Sequence, residues 1–329
     1  MRKSLNTAGG GLAVLAFLLG AYAFAQTPNT ASGAASRDDV HALKITILST
    51  MLAQEGLGEW GFSALVETDG KKILFDTGAH PDTVLKNAKD LKIDLSDIQD
   101  VVLSHFHDDH TSGLMTLRRE FEKKNPQAFS RVHVAKGIFF ERRGKDVNEM
   151  IPMKKEYEAT GGVFIEHDKP EEILPGVWLT GPIPRLYPEK NYAKGIEVEE
   201  NGSWVEDNVP EDQSLVFNTT RGLVLLAGCG HAGVVNTLEY ARKFIAPEPV
   251  EAAIGGFHMF NAKDEQVDWM ADKLKDFHTA NVLGAHCTGI ESVYRIRQRL
   301  GLTRQTCVVG TVGATYTLDT GIHTGAIAQ

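Results

Sequence analysis

The stretch "VVLSHFHDDHTSGL", residues 101–114, places His105, His107, Asp109 and His110 within six residues of one another. A short apolar run, 101–104, comes directly before them and is typical of a strand buried on both faces. Imidazoles packed this closely repel one another when charged, and polar groups are costly to bury without partners. A metal ion removes both costs, because histidine and aspartate are common metal ligands. The stretch therefore predicts a metal site.

The spacing within the stretch also predicts how ligands are shared between ions. Residues two apart on an extended segment point to the same side, so His105 and His107 can reach one ion. The next two polar residues, Asp109 and His110, follow where the chain turns towards a helix, and they can reach a second ion. A third ligand for each ion must come from far along the chain, and the sequence offers two histidines for it, His231 and His286.

These candidates stand at the ends of predicted strands, where catalytic groups converge in layered α/β folds. The sequence predicts strands at 43–49, 62–68, 72–78, 101–104, 214–218, 222–228, 252–256, 281–286 and 311–318. Apolar residues at helical spacing predict helices after residue 114, over 234–245 and over 267–277. Asp76 in "FDTG" and six of the twelve histidines follow predicted strands: His105, His107, His110, His231, His258 and His286. We therefore expect an α/β chain with one large core.

The segment from about residue 140 to 210 is irregular and charged, as in "ERRGKD" and "VEENGSWVEDNVPEDQ". Such a pattern predicts an insertion of loops and short strands within the domain that spans 43–329. We expect the insertion to form a lid or a wall of the substrate site.

The N-terminus has the pattern of a secretory signal peptide over residues 1–25, with Arg2 and Lys3 before an apolar run and Ala23-Phe24-Ala25 at its end. The apolar run is shorter than the roughly 20 residues that span a bilayer, so cleavage is favoured over a membrane anchor. Residues 26–42 are small and polar and predict a flexible lead-in. We therefore expect a periplasmic or secreted protein that is not stably inserted in a membrane.

Charge excludes one class of partner. The chain has a formal net charge of −9, which becomes −11 when the two basic residues of the signal peptide are removed. A protein this acidic is not expected to bind nucleic acid. We expect a small-molecule substrate instead.

Three further positions have more than one interpretation. Cys229 and Cys287, which stand beside histidines in "GCGH" and "AHCTG", can be ligands, a redox pair or small buried residues. His258 in "GGFH" can be a ligand or a substrate contact. Arg185 in "LTGPIPR" can bind a substrate phosphate or carboxylate through its planar guanidinium, or make a surface ion pair. The remaining histidines are expected to be structural or exposed: His41, His80, His133, His167, His278 and His323.

The motif "SHFHDDH" resembles the signature of the metallo-β-lactamase superfamily, whose members share an αββα four-layer sandwich and a site for one or two metal ions. The segments "ILFDTG", "LTGPIPR", "LLAGCGHAGVVNT", "AAIGGFHMF" and "HCTG" occur in the order found in one branch, that of 7,8-dihydropterin-6-yl-methyl-4-(β-D-ribofuranosyl)aminobenzene 5′-phosphate synthase. The resemblance implies that Asp76 supports the metal-binding turn and that His286 is the last ligand.

The chain departs from the superfamily in two respects. Most hydrolases of the superfamily carry "GD" where this chain has "AGCGH", and that aspartate bridges two metal ions. Cys229 or His231 must take its place here, which is expected to change metal spacing and metal preference. The second departure is location, because a pterin-pathway enzyme is expected in the cytosol and this chain carries an export signal.

The sequence thus favours an exported metal-dependent hydrolase with two divalent ions, zinc before iron or manganese. A metal-bound hydroxide would attack a small ester, lactone, amide or phosphoester, and Asp109 would orient the water or accept its proton. Three alternatives remain: a synthase of the dihydropterin branch, an iron-dependent oxidoreductase on the same fold, and a non-catalytic metal-binding protein. The synthase would need a basic phosphate pocket, for which Arg185 and Lys136 are the candidates.

Overall fold

A computed structural model describes residues 39–144 and 148–328 of the protein. The predicted signal peptide, and the predicted lead-in as far as residue 38, lie outside the described residues. Val40, at the end of the predicted lead-in, is fully buried, and its amide donates to the Asn218 carbonyl at 2.7 Å. The end of the predicted flexible lead-in is therefore packed against the domain at Val40.

The first of two large sheets contains eight strands in the order β18-β17-β1-β2-β3-β4-β5-β7. Its strands β3, β4, β5 and β7 run parallel, whereas β1, β2, β17 and β18 pair antiparallel. The strands are β1 (Leu43–Ser49), β2 (Ser63–Thr68), β3 (Lys71–Phe75), β4 (Asp100–Val102), β5 (Arg131–Ala135), β7 (Val163–His167), β17 (Thr315–Thr317) and β18 (Gly321–His323).

The second large sheet contains seven strands in the order β16-β15-β14-β13-β12-β9-β8, with β13 to β16 parallel. The strands are β8 (Glu171–Leu174), β9 (Val177–Leu179), β12 (Ser214–Thr219), β13 (Gly222–Ala227), β14 (Val250–Gly255), β15 (Asn281–Gly284) and β16 (Cys307–Val309). A small third sheet joins β6 (Arg142–Arg143), β10 (Glu197–Glu200) and β11 (Ser203–Glu206).

The two large sheets pack face to face, and helices cover their outer faces. Apolar side chains such as Ile45, Phe75, Leu226 and Ile254 fill the space between the sheets. The helices on the first sheet are α1 (Thr83–Asp90), α3 (Leu114–Phe121) and α4 (Met150–Glu158), and those on the second are α5 (Val234–Phe244), α6 (Asp264–Asp276) and α7 (Ile290–Leu300). This arrangement confirms the predicted αββα sandwich.

Residues 140–210 contain more regular structure than their sequence pattern indicates. Strand β7 extends the first sheet, and β8 and β9 extend the second. The small sheet is joined to the domain by Arg142, which is buried and pairs with Asp207 at 2.8 Å and Glu211 at 2.7 Å. Short strands at sheet edges have weak alternation in sequence, because packing at the edge decides their conformation.

The parallel strands end together and so define the site. The strands β3 and β15 are shorter than predicted, because the residues predicted at their ends turn away from the sheet. Asp76 has a φ of 55° directly after β3, and His286 has a φ of 46° shortly after β15. A Cβ at Gly256 would lie 2.2 Å from the Gly228 carbonyl, so only glycine lets these two strand ends approach.

Across the described ranges, no helix combines the length and the apolar character needed to cross a membrane.

Candidate metal centre

Two groups of three ligand-type side chains meet at the carboxyl ends of the parallel strands. In the first triad, His105 and His107 follow β4 and His231 follows β13. The His105 Nε2 atom lies 2.8 Å from His107 Nδ1 and 3.2 Å from His231 Nε2. The three ligand atoms all lie within 4.8 Å of one another, which is close enough to hold one metal ion.

The second triad consists of Asp109, His110 and His286. Asp109 and His110 lie on the short helix α2 (Asp108–Thr111), and His286 opens a 3-10 helix after β15. The His286 Nε2 atom is 3.3 Å from His110 Nε2 and 3.3 Å from Asp109 Oδ2. The structure thus brings together, as two adjacent triads, all six residues that the sequence singled out as ligands.

Asp76 orients one histidine of each triad. Its Oδ1 accepts the Ser104 amide at 2.7 Å, and its Oδ2 accepts the Ser104 hydroxyl at 2.8 Å and His110 Nδ1 at 2.7 Å. Because the hydroxyl proton of Ser104 goes to Asp76, the Ser104 oxygen must accept from His105 Nδ1, 2.9 Å away. Neutral His105 and His110 therefore both present a bare Nε2 to the site. Such outer partners fix the tautomer of metal-ligating histidines.

The first triad fits a metal ion for the same reason. His231 Nδ1 donates to the Asn191 carbonyl, so its Nε2 is bare when the ring is neutral. Bare Nε2 atoms of His231 and His105 then face each other at 3.2 Å, with no proton to bridge them. Two opposed lone pairs repel, and a cation between them turns the contact into two favourable ones.

The two triads differ in protonation. Burial and the surrounding histidines hold the pKa values of His105 and His231 well below their usual range, and burial lowers the pKa of His107 to about 4. In the second triad, burial by itself would lower the pKa of His286. The Cys287 sulfur and Asp109 outweigh burial and raise that pKa to about 10. Asp109 and Asp76 likewise outweigh burial and raise the pKa of His110.

This difference predicts a pH dependence for one ion only. At neutral pH the first triad is already deprotonated, whereas an ion entering the second triad must displace the proton of His286. Raising the pH from about 6 to 8 is therefore expected to strengthen second-triad binding about tenfold per pH unit for each proton displaced, with little change at the first triad. Competition with a chromophoric chelator at three pH values measures both affinities. Equal slopes for the two ions would contradict the assignment.

A group of soft donors lies beside the two triads. Cys229 is nearly fully buried, and its sulfur lies within 4.8 Å of the ligand nitrogens of His105 and His110, one from each triad. It contacts His258 Nδ1 at 3.2 Å and the Cys287 sulfur at 3.0 Å. Of the two candidates for the missing bridging aspartate, Cys229 is thus the one placed beside both triads, while His231 belongs to the first.

Strained backbone marks the same region. Nine non-glycine residues in the described chain have a positive φ, and three of them lie here: Asp76, His258 and His286, with φ values of 55°, 52° and 46°. Left-handed conformations cost free energy at such residues and persist where the surroundings enforce them, as they do at functional sites.

A cavity of about 260 Å³ opens onto the first triad. One wall comes from the 140–210 segment, and another comes from the loop after β14. The lining residues are His107, Tyr192, Ala193, Ile196, Asp207, Val209, His231, His258, Phe260 and Asn261. None of these is a lysine or an arginine, so the cavity wall carries no fixed positive side chain.

Two exposed aromatic rings stand at the edge of the metal centre. Trp60, from the loop between β1 and β2, is 46% exposed, and Phe260 is 45% exposed. Their ring centroids are 5.0 Å apart, and Trp60 also lies 5.1 Å from the His286 ring. Exposed apolar rings beside a polar site are typical of a surface that contacts a ligand.

Arg185 lies behind this centre and not in the cavity lining. Its guanidinium donates to the carbonyls of His231 and Asn208, and to that of Val209 at 3.0 Å. This placement differs from the predicted substrate contact, because the planar guanidinium is used to hold the backbone of a ligand residue and of the cavity wall. The carbonyls lie far from Arg185 in sequence, so the motif "LTGPIPR" contained no sign of them.

Replacing Arg185 by alanine is therefore expected to lower the free energy of unfolding by about 2–3 kcal/mol, because three carbonyl groups lose a charged donor. Chemical denaturation checks this value, and Arg119→Ala is the control, because Arg119 is an exposed arginine that pairs with Glu156 at 3.3 Å. A raised KM with unchanged stability would instead restore the substrate-anchor interpretation.

Comparison with known proteins agrees with the geometry. A sequence model of the metallo-β-lactamase superfamily matches residues 61–128. The 7,8-dihydropterin-6-methyl-4-(β-D-ribofuranosyl)-aminobenzene-5′-phosphate synthase of Methanocaldococcus jannaschii is 32% identical over 254 residues, which cover 74% of this chain and 84% of the relative. The chain belongs to the metallo-β-lactamase superfamily.

Solved structures of the superfamily show the same architecture. A metal-dependent hydrolase of the β-lactamase superfamily, Tm1679, is 27% identical with a TM-score of 0.66, over 83% of this chain and 98% of that one. Zinc-bound PqqB from Methylobacterium extorquens shares the fold at 16% identity and a TM-score of 0.51, over 83% of this chain and 99% of that one. The predicted superfamily resemblance is confirmed.

Sequence reasoning missed the residues that orient or surround the ligands of this superfamily site. Ser104 directly precedes the histidine motif, and its position before His105 was a usable signal. Asn191 lies in the irregular 140–210 segment, where no pattern indicates a contact. Trp60 stands in the glycine-rich "GLGEWGF", which indicates a loop but not its position beside His286.

Proposed function

We propose that the protein is a metal-dependent hydrolase that holds two divalent ions and cleaves a small ester, lactone or amide. The observation that carries this proposal is the pair of adjacent triads, each with three ligand atoms within 4.8 Å, at the mouth of a cavity. The likeness to a metal-dependent hydrolase at 27% identity supports it.

The first triad would hold one ion through three imidazole nitrogens, and the second would hold another through Asp109, His110 and His286. Three protein ligands on each ion leave a position open, as catalytic zinc sites require, so zinc is the proposed metal. Divalent ions held in this way polarise a carbonyl oxygen and lower the pKa of a coordinated water, which is the chemistry that hydrolysis needs.

The protein's own groups contribute orientation and charge. Burial by itself would raise the pKa of Asp109, but the neighbouring His110 and His286 outweigh burial and lower that pKa. The Asp109 carboxyl therefore stays ionised at neutral pH. A carboxylate with so low a pKa is a poor proton acceptor, so the proposed role of Asp109 is that of a ligand. The cavity beside His107 and His258 would place the substrate's reacting bond next to the first triad.

The cavity lining favours a neutral substrate. Phosphate recognition usually uses arginine or lysine, and the lining of this cavity contains neither. Arg185 is occupied by main-chain carbonyls, and Lys136 is not among the lining residues. The apolar side chains of Ile196, Val209 and Phe260 suit a neutral group on the carbonyl carbon.

A second candidate is supported by the identity of 32% to a synthase that makes a phosphate-bearing pterin compound. It predicts that the protein forms the compound in that relative's name. The cavity lining counts against it, because a phosphate ester would then be held by the metal ions alone.

The test is a substrate panel with protein purified without chelators. We expect turnover of at least one class among aryl esters, lactones and aryl amides, lost with 1,10-phenanthroline and restored by zinc. The matched control is His107→Ala. Formation of the pterin compound without turnover of any carbonyl substrate would replace the hydrolase proposal by the synthase. Iron-dependent oxygen consumption would replace it by the oxidoreductase.

We also propose export to the periplasm or the exterior, on the N-terminal sequence pattern alone. Fractionation of cells that express the full chain, with N-terminal sequencing of the product, tests this proposal. A product that is found in the cytosol and retains residues 1–25 would overturn the export proposal.

A further inference from the structure

Two cysteines of the second sheet lie in contact beside the metal centre. Cys229 follows β13 and Cys287 lies in the turn after β15, so 58 residues separate them in the chain. Their sulfur atoms are 3.0 Å apart, and both side chains are buried. That distance is shorter than an ordinary non-bonded contact of about 3.5–4.0 Å between heavy atoms. A shift of about 1 Å would bring them to disulfide bonding distance.

The surroundings hold the two sulfurs in place. The His258 amide donates to the Cys287 sulfur at 3.3 Å, and His258 Nδ1 contacts the Cys229 sulfur at 3.2 Å. Gly256 makes room for the pair, because a Cβ there would lie 2.8 Å from the Cys287 sulfur. Because His258 contacts both sulfurs, the two cysteines are held against each other by specific contacts and do more than fill space in the core.

A soft metal site is the competing interpretation of the same donors. Two thiolates on a tetrahedral zinc ion, each about 2.3 Å from the metal, are about 3.8 Å apart. The observed 3.0 Å is well below that separation. At this distance an S–S bond needs only a small movement and no added ion, and the metal content of Cys287→Ser distinguishes the two interpretations.

We propose that Cys229 and Cys287 form a reversible disulfide, and that this oxidation site controls the neighbouring metal centre. The oxidant is a peroxide, and its route would be the cavity, because the Cys229 sulfur contacts His258, which lines that cavity. One of the two sulfurs attacks the peroxide as its thiolate and breaks the O–O bond, which gives a sulfenic acid and a hydroxide that takes up the thiol proton and leaves as water. The other thiol then displaces the hydroxyl of the sulfenic acid as a second water, and the S–S bond forms. Two thiols are oxidised, and one peroxide is reduced to two waters.

The control of the centre rests on the proposed function, whereas the disulfide does not. The Cys229 sulfur lies within reach of His105 and His110, one residue of each triad. A disulfide removes that sulfur as a donor and ties the loop after β13 to the loop after β15. Both loops carry a ligand, His231 and His286. Oxidation is therefore expected to lower hydrolysis at least about tenfold, as losses of ligand-positioning groups do.

The experiment treats the full-length protein, purified without chelators, with hydrogen peroxide and then with dithiothreitol. We expect a mass loss of two hydrogens, a peptide that links residues 229 and 287, and full return of two alkylatable thiols on reduction. Cys307→Ala, which removes a buried cysteine whose sulfur donates to the Val293 carbonyl at 3.5 Å, should behave like the unaltered protein. Cys287→Ser should form no linked peptide and should resist reversible inactivation.

Three outcomes would overturn the proposal. One is three alkylatable thiols in the denatured protein after peroxide, and another is a gain of oxygen atoms without a linked peptide. The third is an additional metal ion lost in Cys287→Ser, which would assign the group to a soft metal site. If the linked peptide forms but the protein shows no hydrolase activity, the disulfide proposal stands and only the proposed function is refuted.

Discussion

Replacing His107 by alanine is expected to lower kcat/KM by a factor on the order of 10³ or more, equivalent to about 4 kcal/mol of transition-state stabilisation. His107 supplies one of three ligand nitrogens in the first triad and lines the cavity where the substrate would lie. It stands at the start of α2 and is only partly buried, so its removal leaves the core intact. The measurement uses the panel substrate that the unaltered protein turns over fastest.

The matched control for this variant is His41→Ala. His41 is an exposed histidine that lies just before β1 in the chain. It is expected to retain the activity of the unaltered protein. A thermal melt of the metal-free His107→Ala protein should match that of the metal-free parent. Activity within about tenfold of the parent would place the reaction away from the first triad.

Asp76→Asn is expected to weaken metal binding at the second triad by about 10–100-fold, with a corresponding loss of activity. All three partners of Asp76 donate to it: the Ser104 amide, the Ser104 hydroxyl and His110 Nδ1. Asparagine offers one oxygen and one NH₂ group. If the NH₂ replaces Oδ1, it faces the Ser104 amide. If it replaces Oδ2, His110 must move its proton to Nε2 and can no longer ligate.

The affinity of both triads is measured by chelator competition, with the exposed Asp97→Asn as the control. Asp97 pairs with Lys72 at the surface and touches neither triad. We expect the metal affinity of the second triad to be lower in Asp76→Asn than in Asp97→Asn. Unchanged metal affinity in Asp76→Asn would mean that the tautomer of His110 is fixed by something other than this carboxylate.

The fold was largely readable from the sequence because its parallel strands are continuous apolar runs. The parallel strand β13, predicted at 222–228, spans Gly222–Ala227, and all six of its residues are buried. The antiparallel strand β1 matches its predicted bounds, 43–49. The predicted ends of β3 and β15 were too long, because the ligand turns begin with residues in left-handed conformations. Such conformations at Asp76 and His286 are imposed by tertiary contacts and have no signal in residue type.

The candidate ligands were visible for a different reason. Histidine is rare enough, with twelve in 329 residues, that three histidines within six residues stand out. The groups that orient them did not stand out, because serine and asparagine occur everywhere and contact their histidines through the fold. Arg185 shows the same limit, since an arginine that binds backbone carbonyls and one that binds a substrate look alike in sequence.

Metal content measured by mass spectrometry, on protein purified without chelators, tests the central claim most directly. Two zinc ions per chain are expected in the unaltered protein. Asp109→Ala and His107→Ala are each expected to retain about one, because each removes a ligand from a different triad. A single ion in the unaltered protein, or loss of the same ion in both variants, would contradict the account of two independent triads. The absence of bound metal from all three proteins would refute the metal centre itself.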